Sequence, residues 1–163
     1  MSPLFGRRSR PSGLAAGERV LATAPTGDGD VMATTYGLHF PALGDAEFLG
    51  WEGIEHAAWD RESSTLDVVE TVDAGEKPRR RRVELEAPGP FVDVVREQVT
   101  GSVIVSREVL VTESYGVRVT ARRRASDDAI LWTASPDTEL DLSEPDVLAA
   151  VHEAVEMVRA DLG

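Results

Sequence analysis

The chain has no cysteine, a single lysine (Lys77), three histidines and only 6% aromatic residues among its 163 positions. Without cysteine there is no disulfide, no thiolate metal ligand and no cysteine nucleophile, and the composition fits a reducing cytoplasm. No window approaches the roughly 18 consecutive apolar residues that a transmembrane helix needs. Arg7-Arg8 could open a twin-arginine export signal, but Ser9-Arg10-Pro11-Ser12-Gly13 supplies no apolar core behind it, so a cytoplasmic protein is expected. His39, His56 and His152 stand at no metal-ligand spacing, and each reads as a surface residue. No Gly-x-Gly-x-x-Gly or Gly-x-x-x-x-Gly-Lys loop is present, and Ser102 and Ser106 lack a nucleophile elbow. The sequence therefore names no cofactor, no metal and no catalytic residue.

Positive charge is scarce as well. The formal net charge is −12, which speaks against a general nucleic-acid binder, because phosphate must be met by net positive surface. The imbalance is local: Arg7, Arg8 and Arg10 make the start basic, whereas 125–163 holds ten acidic residues against Arg159 alone.

What is there is ordinary globular composition, 42% hydrophobic and 28% charged, of a length that suits one domain. Residues 1–16, rich in Arg, Ser, Pro and Gly, read as a disordered basic arm, and 17–163 as the domain. Within it, eight strands are expected. The first lies at 18–23, and Asp28-Gly29 turns the chain into a second in which Met32, Tyr36, Leu38 and Phe40 share one face. A third and a fourth fall in Phe48 to Asp60 and Ser64 to Thr71, anchored by Trp51, Ile54 and Trp59. Thr71 to Arg82 reads as a polar loop, followed by a fifth strand on Val83, Leu85 and Ala87. Pro88-Gly89-Pro90 starts a helix whose stripe is Phe91, Val92, Val95 and Val99. Three more strands follow, with Val117, Val119 and Ala121 inward, Arg118, Thr120 and Arg122 outward, and Trp132 in a shared core. The last helix carries Ser143 as N-cap, with Pro145 and Asp146 in its first turn, and Leu148, Val151, Val155, Val158 and Leu162 on one stripe.

Gly17-Glu18-Arg19-Val20-Leu21-Ala22, Ala33-Thr34-Thr35-Tyr36-Gly37-Leu38-His39-Phe40, and Trp51-Glu52-Gly53-Ile54 leading to Trp59 resemble the opening strands of a pleckstrin-homology-like (PH-like) domain of the GRAM type. The chain also resembles a family of actinobacterial proteins over 94–103 and 116–123. The resemblance implies an α+β, mainly β fold: an antiparallel PH-like barrel or sandwich of seven to eight strands, with one inserted helix and a C-terminal capping helix. It implies a binding or scaffolding module and brings no functional residues with it.

Two arginine clusters are the candidate ligand site. Arg79, Arg80, Arg81 and Arg82, with Arg122 and Arg124 beside Arg123, could hold an anionic group through bidentate pairing. The competing reading is a solvated charge run answered by nearby carboxylates such as Asp73 and Glu76. Glu52, Glu55, Asp60 and Glu62 read as surface, scattered over both faces of a strand. Function then reads as a non-catalytic interaction module with a protein partner. The alternatives are peripheral attachment to anionic lipid through the arginines, or a hydrolase using Glu52, Glu55 or Asp60.

Overall fold

The computed structural model describes residues 13–41, 47–71 and 76–162. Among them run ten strands and two helices: β1 Val20–Thr26, β2 Gly29–Thr34, β3 Gly37–Phe40, β4 Glu47–Gly50, a 3-10 turn at Trp51–Gly53, β5 Ile54–Asp60, β6 Thr65–Glu70, β7 Arg80–Glu84, α1 Phe91–Ser102, β8 Val103–Leu110, β9 Gly116–Arg123, β10 Ile130–Pro136 and α2 Pro145–Leu162. They form three antiparallel sheets, ordered β1-β2-β3-β4, β5-β6-β7 and β10-β9-β8. The fold is α+β and mainly β, a sandwich-like arrangement rather than a closed barrel.

The two strands beyond the expected eight arise because two expected strands break. The Thr34 hydroxyl accepts the N–H groups of Tyr36 and Gly37, 3.1 and 3.2 Å away, and folds the chain back between β2 and β3. Gly37 lies against the opposite strand so closely that a Cβ there would run into the Leu49 carbonyl oxygen. The turn also reassigns faces. Ala33 pairs with Leu38 and both are fully buried, while Met32 pairs with His39 on the other face, so Met32 and Leu38 do not share a side. The second break is the 3-10 turn after β4. There the Trp51 indole, 2% exposed, donates to the Thr34 carbonyl at 2.9 Å and fixes one break against the other.

Two apolar clusters replace the single expected core. The first joins Ala24, Val31, Ala33, Leu38, Phe40, Trp51, Ile54, Leu66, Val68 and Leu85 with Phe91, Val92 and Val95 of α1. The stripe read from the sequence thus plugs the first seven strands. The Glu86 N–H donates to the Pro25 carbonyl at 3.0 Å, tying the edge of β1 to the chain leaving β7. The second cluster is smaller: Val117 and Val119 of β9 against Val151, Ala154 and Val158 of α2, flanked by Val109, Trp132, Ala134 and Val155. Trp132 is only half-buried there, not in a core shared by the whole chain. The helix begins at Pro145, its first bond running from Leu148 N–H to the Glu144 carbonyl, and the Ser143 hydroxyl donates to Asp141 instead of capping it.

Candidate functional site

The arginines meet different fates. Strand pairing reaches further into the polar run than its charge suggests: Arg80, Arg81 and Arg82 belong to β7, opposite Val69, Val68 and Asp67. Cross-strand carboxylates make this tolerable, since opposite charges facing one another stabilise a sheet. Arg80 pairs with Asp67 at 3.1 Å. Arg81 lies over the Phe40 ring, 5.1 Å from its centroid, and pairs with both Glu70 and Glu47. Arg124 grips Asp127 through two bonds of 2.9 and 2.8 Å in the β9–β10 hairpin, and Arg123 reaches Asp128 at 3.9 Å. The same bidentate pair, with the Ala129 N–H, pulls the Asp127 carboxyl down to about 2. Arg79 and Arg82 make no ion pair among the described residues. The arm at Arg7, Arg8 and Arg10, and Asp73 in the loop, lie outside those residues.

Arg122 departs furthest from expectation. Instead of pointing to solvent it is 5% exposed, and Thr120 beside it is buried as well. Its terminal nitrogen donates to the Thr133 hydroxyl at 3.0 Å, while its Nε bonds to no other described residue. Burial draws the guanidinium below its ordinary range, and the charge of Glu55 opposes that. Glu52 is half-buried, and burial raises its carboxyl above the usual range, with Arg124 working the other way and Asp127 adding to the rise. One of its oxygens, Oε2, is buried without a hydrogen bond. Glu52 and Glu55 are therefore junction residues rather than open surface. Asp60, the last residue of β5, and Glu62 in the turn after it do stay exposed, and Asp60 accepts the Glu62 N–H at 2.9 Å.

Three clefts lie near these side chains. One, of about 370 Å³, is walled by Glu70, Thr71, Glu76 and Arg79 on one side and by Leu131, Trp132 and Thr133 of β10 on the other. Of the candidate arginines only Arg79 lines it, and Arg122 touches it only through its bond to Thr133. Arg81 and Arg82 line a second cleft with Asp28, Phe40 and Glu47. Arg82 also borders a third, with Trp59, Asp60 and Asp67. None of the three is lined by Glu52 or Glu55.

Sequence reasoning missed one polar cluster altogether. Glu18, Thr34 and His39 are all buried, with the His39 Nε2 2.7 Å from the Glu18 carboxylate and the Thr34 hydroxyl donating to the same oxygen. Burial by itself would raise the Glu18 carboxyl. The hydrogen bonds from Thr34, His39 and the Ala15 N–H outweigh it and hold the group below its ordinary range. The expectation of a surface role is thereby overturned for His39, whereas His56 and His152 are exposed as expected. No local signal announces the cluster, because its members stand 16 and 21 residues from Glu18.

No group of three or more metal-ligating side chains is gathered among the described residues, and none of their helices is long and apolar enough to cross a membrane. Comparison with family models, curated proteins and solved structures found no match.

Proposed function

We propose that the protein is a non-catalytic interaction module that binds a polypeptide partner in the cytoplasm through the cleft between Arg79 and Trp132. One observation carries this reading. Arg79, free of ion pairs among the described residues, faces the half-buried Trp132 across a cleft walled by parts far apart in the chain. A segment offering a carboxylate to Arg79 and an apolar side chain to Trp132 and Leu131 matches that lining, since arginine and tryptophan are the residue types that anchor interfaces. The PH-like reading rests on residues 18–102, where seven antiparallel strands in sheets of four and three are closed by α1. In that reading α1 is the closing helix and not an insertion.

The pairing of the arginines weighs against anionic lipid as the ligand. Arg80, Arg81, Arg123 and Arg124 already face carboxylates, and a membrane would have to displace them. A hydrolase reading fares worse. The His–carboxylate pair His39–Glu18 is buried, Glu52 and Glu55 lie outside the three clefts, and Asp60 borders one of them without Glu52, Glu55 or Glu62 beside it.

The test is a photo-crosslinkable residue at Thr71, compared in the wild-type background, in Arg79→Glu and in Thr133→Trp, which fills the cleft. A partner crosslinked in the first and lost in the other two supports the reading. Crosslinking indifferent to both substitutions, or salt-sensitive co-sedimentation with phosphatidylserine vesicles, overturns it.

A further inference from the structure

We propose that two copies of this chain associate edge to edge through β8, in antiparallel register about Arg107, to form a continuous six-stranded sheet β10-β9-β8-β8-β9-β10. The proposal does not depend on the cleft. β8 is eight residues long and pairs only with β9 among the described residues, so one side of it is an open row of backbone donors and acceptors. The other sheet edges are blunted. β1 carries Pro25, β4 is four residues long, β5 packs against α1, β7 has three successive arginines, and β10 ends on Pro136. β8 has no proline or lysine, and it exposes Ile104 (41%) and Leu110 (71%).

Its two charges do not act as guards. Arg107 pairs with Asp161 of α2 at 2.9 Å, and Glu108 pairs with Arg118 at 2.7 Å. The Val111 N–H bonds to the Tyr115 carbonyl at the hairpin end. Antiparallel bonding alternates, so counting back in twos from that bond, 109, 107 and 105 spend their backbone groups on β9. Ser106, Glu108 and Leu110 then aim theirs at the open edge.

A twofold axis at Arg107 matches that arrangement. It sets Ser106 opposite Glu108 of the second copy, so that outward donors meet outward acceptors. It brings Val105 to Val109, and Leu110 to Ile104 beside the bulge at Val103/Val105. Moving the axis one residue to Ser106 would instead set Val105 against Arg107 and Ile104 against Glu108, apolar against charged. At the chosen axis the two Arg107 side chains meet, each already neutralised by Asp161, and each can be shared with the other copy's Asp161. α2 packs over β9 and β10 and leaves β8 overhanging. Met157, 52% exposed and one turn from Asp161, lies on the flank of the helix that would meet its counterpart. A second copy is thus the occupant whose pattern complements this edge on both faces.

The absence of cysteine makes the register directly testable. At about 100 μM, where a micromolar dimer is mostly assembled, light scattering should give twice the monomer mass. Added salt should tighten the association by screening two chains of charge −12. Arg107→Cys should oxidise to a covalent dimer, because residues on the axis face each other within disulfide reach, whereas Glu108→Cys, offset along the strand, should not. Ser106→Pro removes an outward donor and should weaken association at least about tenfold while leaving the circular dichroism unchanged. Should that variant misfold, Leu110→Lys, at an exposed site, provides the same test. A monomer at this concentration overturns the proposal, and so does a dimer in which the thiol of Arg107→Cys stays reduced or that neither edge variant weakens.

Discussion

The first region, β1 to α1, and the second, β8 to α2, are built from similar parts and stabilised to different degrees. Both are antiparallel sheets covered by a helix with a valine-rich stripe. The first encloses thirteen buried apolar residues between two sheets and α1, with Phe91 fully buried at its centre. The second has five, and every residue of β10 is at least partly exposed. The smaller cluster buries less apolar surface, and hydrophobic stabilisation follows that area. The difference teaches that the second region depends on what lies against its other face. Part of that face is covered at the junction around Thr120 and Arg122, and under our proposal a second copy closes the open edge of β8.

The largest test of this contrast is the double substitution Val151→Asp and Val155→Asp. Placing two unpaired carboxylates on the α2 stripe should cost several kcal/mol, more than the small second cluster can offset. Amide NMR signals of β8 to α2 should collapse toward random-coil positions while those of β2, β6 and α1 stay dispersed. Loss of all dispersion would show that the two regions fold as one unit.

Phe91→Ala comes next, at roughly 3–5 kcal/mol, the usual cost of emptying a buried aromatic site. Urea unfolding should register it as a lowered midpoint of the main transition, and a change under about 1 kcal/mol would contradict the assignment of α1 as the plug. Trp132→Ala should cost clearly less than the ~3–5 kcal/mol of a fully buried tryptophan, because its ring sits at the rim of the second cluster beside the cleft. If its cost equals that of Phe91→Ala, the second core is tighter than its exposure indicates.

Acid should separate the regions more gently. Glu18 is held below its ordinary range in the folded first region. A depressed carboxylate contributes stability that is present above its unfolded value, about 4.3, and lost as pH falls through the lower folded value. Acid sensitivity should therefore shrink in Glu18→Gln, measured by urea midpoints across that window. The smallest effect belongs to Asp127 in the second region. Its carboxyl should titrate by NMR at about 2, and because the pairing is exposed and screened, the midpoint should fall only slightly as the pH drops from the ordinary aspartate value of about 3.9 to about 2.

Periodicity revealed what depends on neighbours close in sequence. The α1 stripe, the alternation of Val117, Val119 and Ala121 and the run of short strands came from spacing, and the structure carries each of them. What escaped depends on distant partners. Thr34 looked like any strand threonine until its hydroxyl met the N–H groups of Tyr36 and Gly37, and that turn moved Met32 to the opposite face. The arginines of β7 read as a loop because Asp67, Glu70 and Glu47, which neutralise them, lie 11 to 34 residues away. Arg122 obeyed its alternation and still became buried, since period-two patterning says which face a side chain takes and nothing of what covers that face.

α1 ends at Ser102 and β8 begins at Val103, with no connecting residue between them. During synthesis, then, the last piece of the first region and the first piece of the second leave the ribosome almost together. Domains fold as they emerge, N-terminal part first. The sandwich can therefore close around Phe91 before β9 exists, and the nascent β8 is already held at one end by a finished helix. The remaining stretch, 103–162, pairs only locally, hairpin by hairpin, so its folding search is short. The direct junction acts as a template that orders assembly in time, and it leaves no spare residue at which the two regions could be parted. A cut misplaced by a few residues to either side of 102/103 would shorten either the plug of one or the first strand of the other.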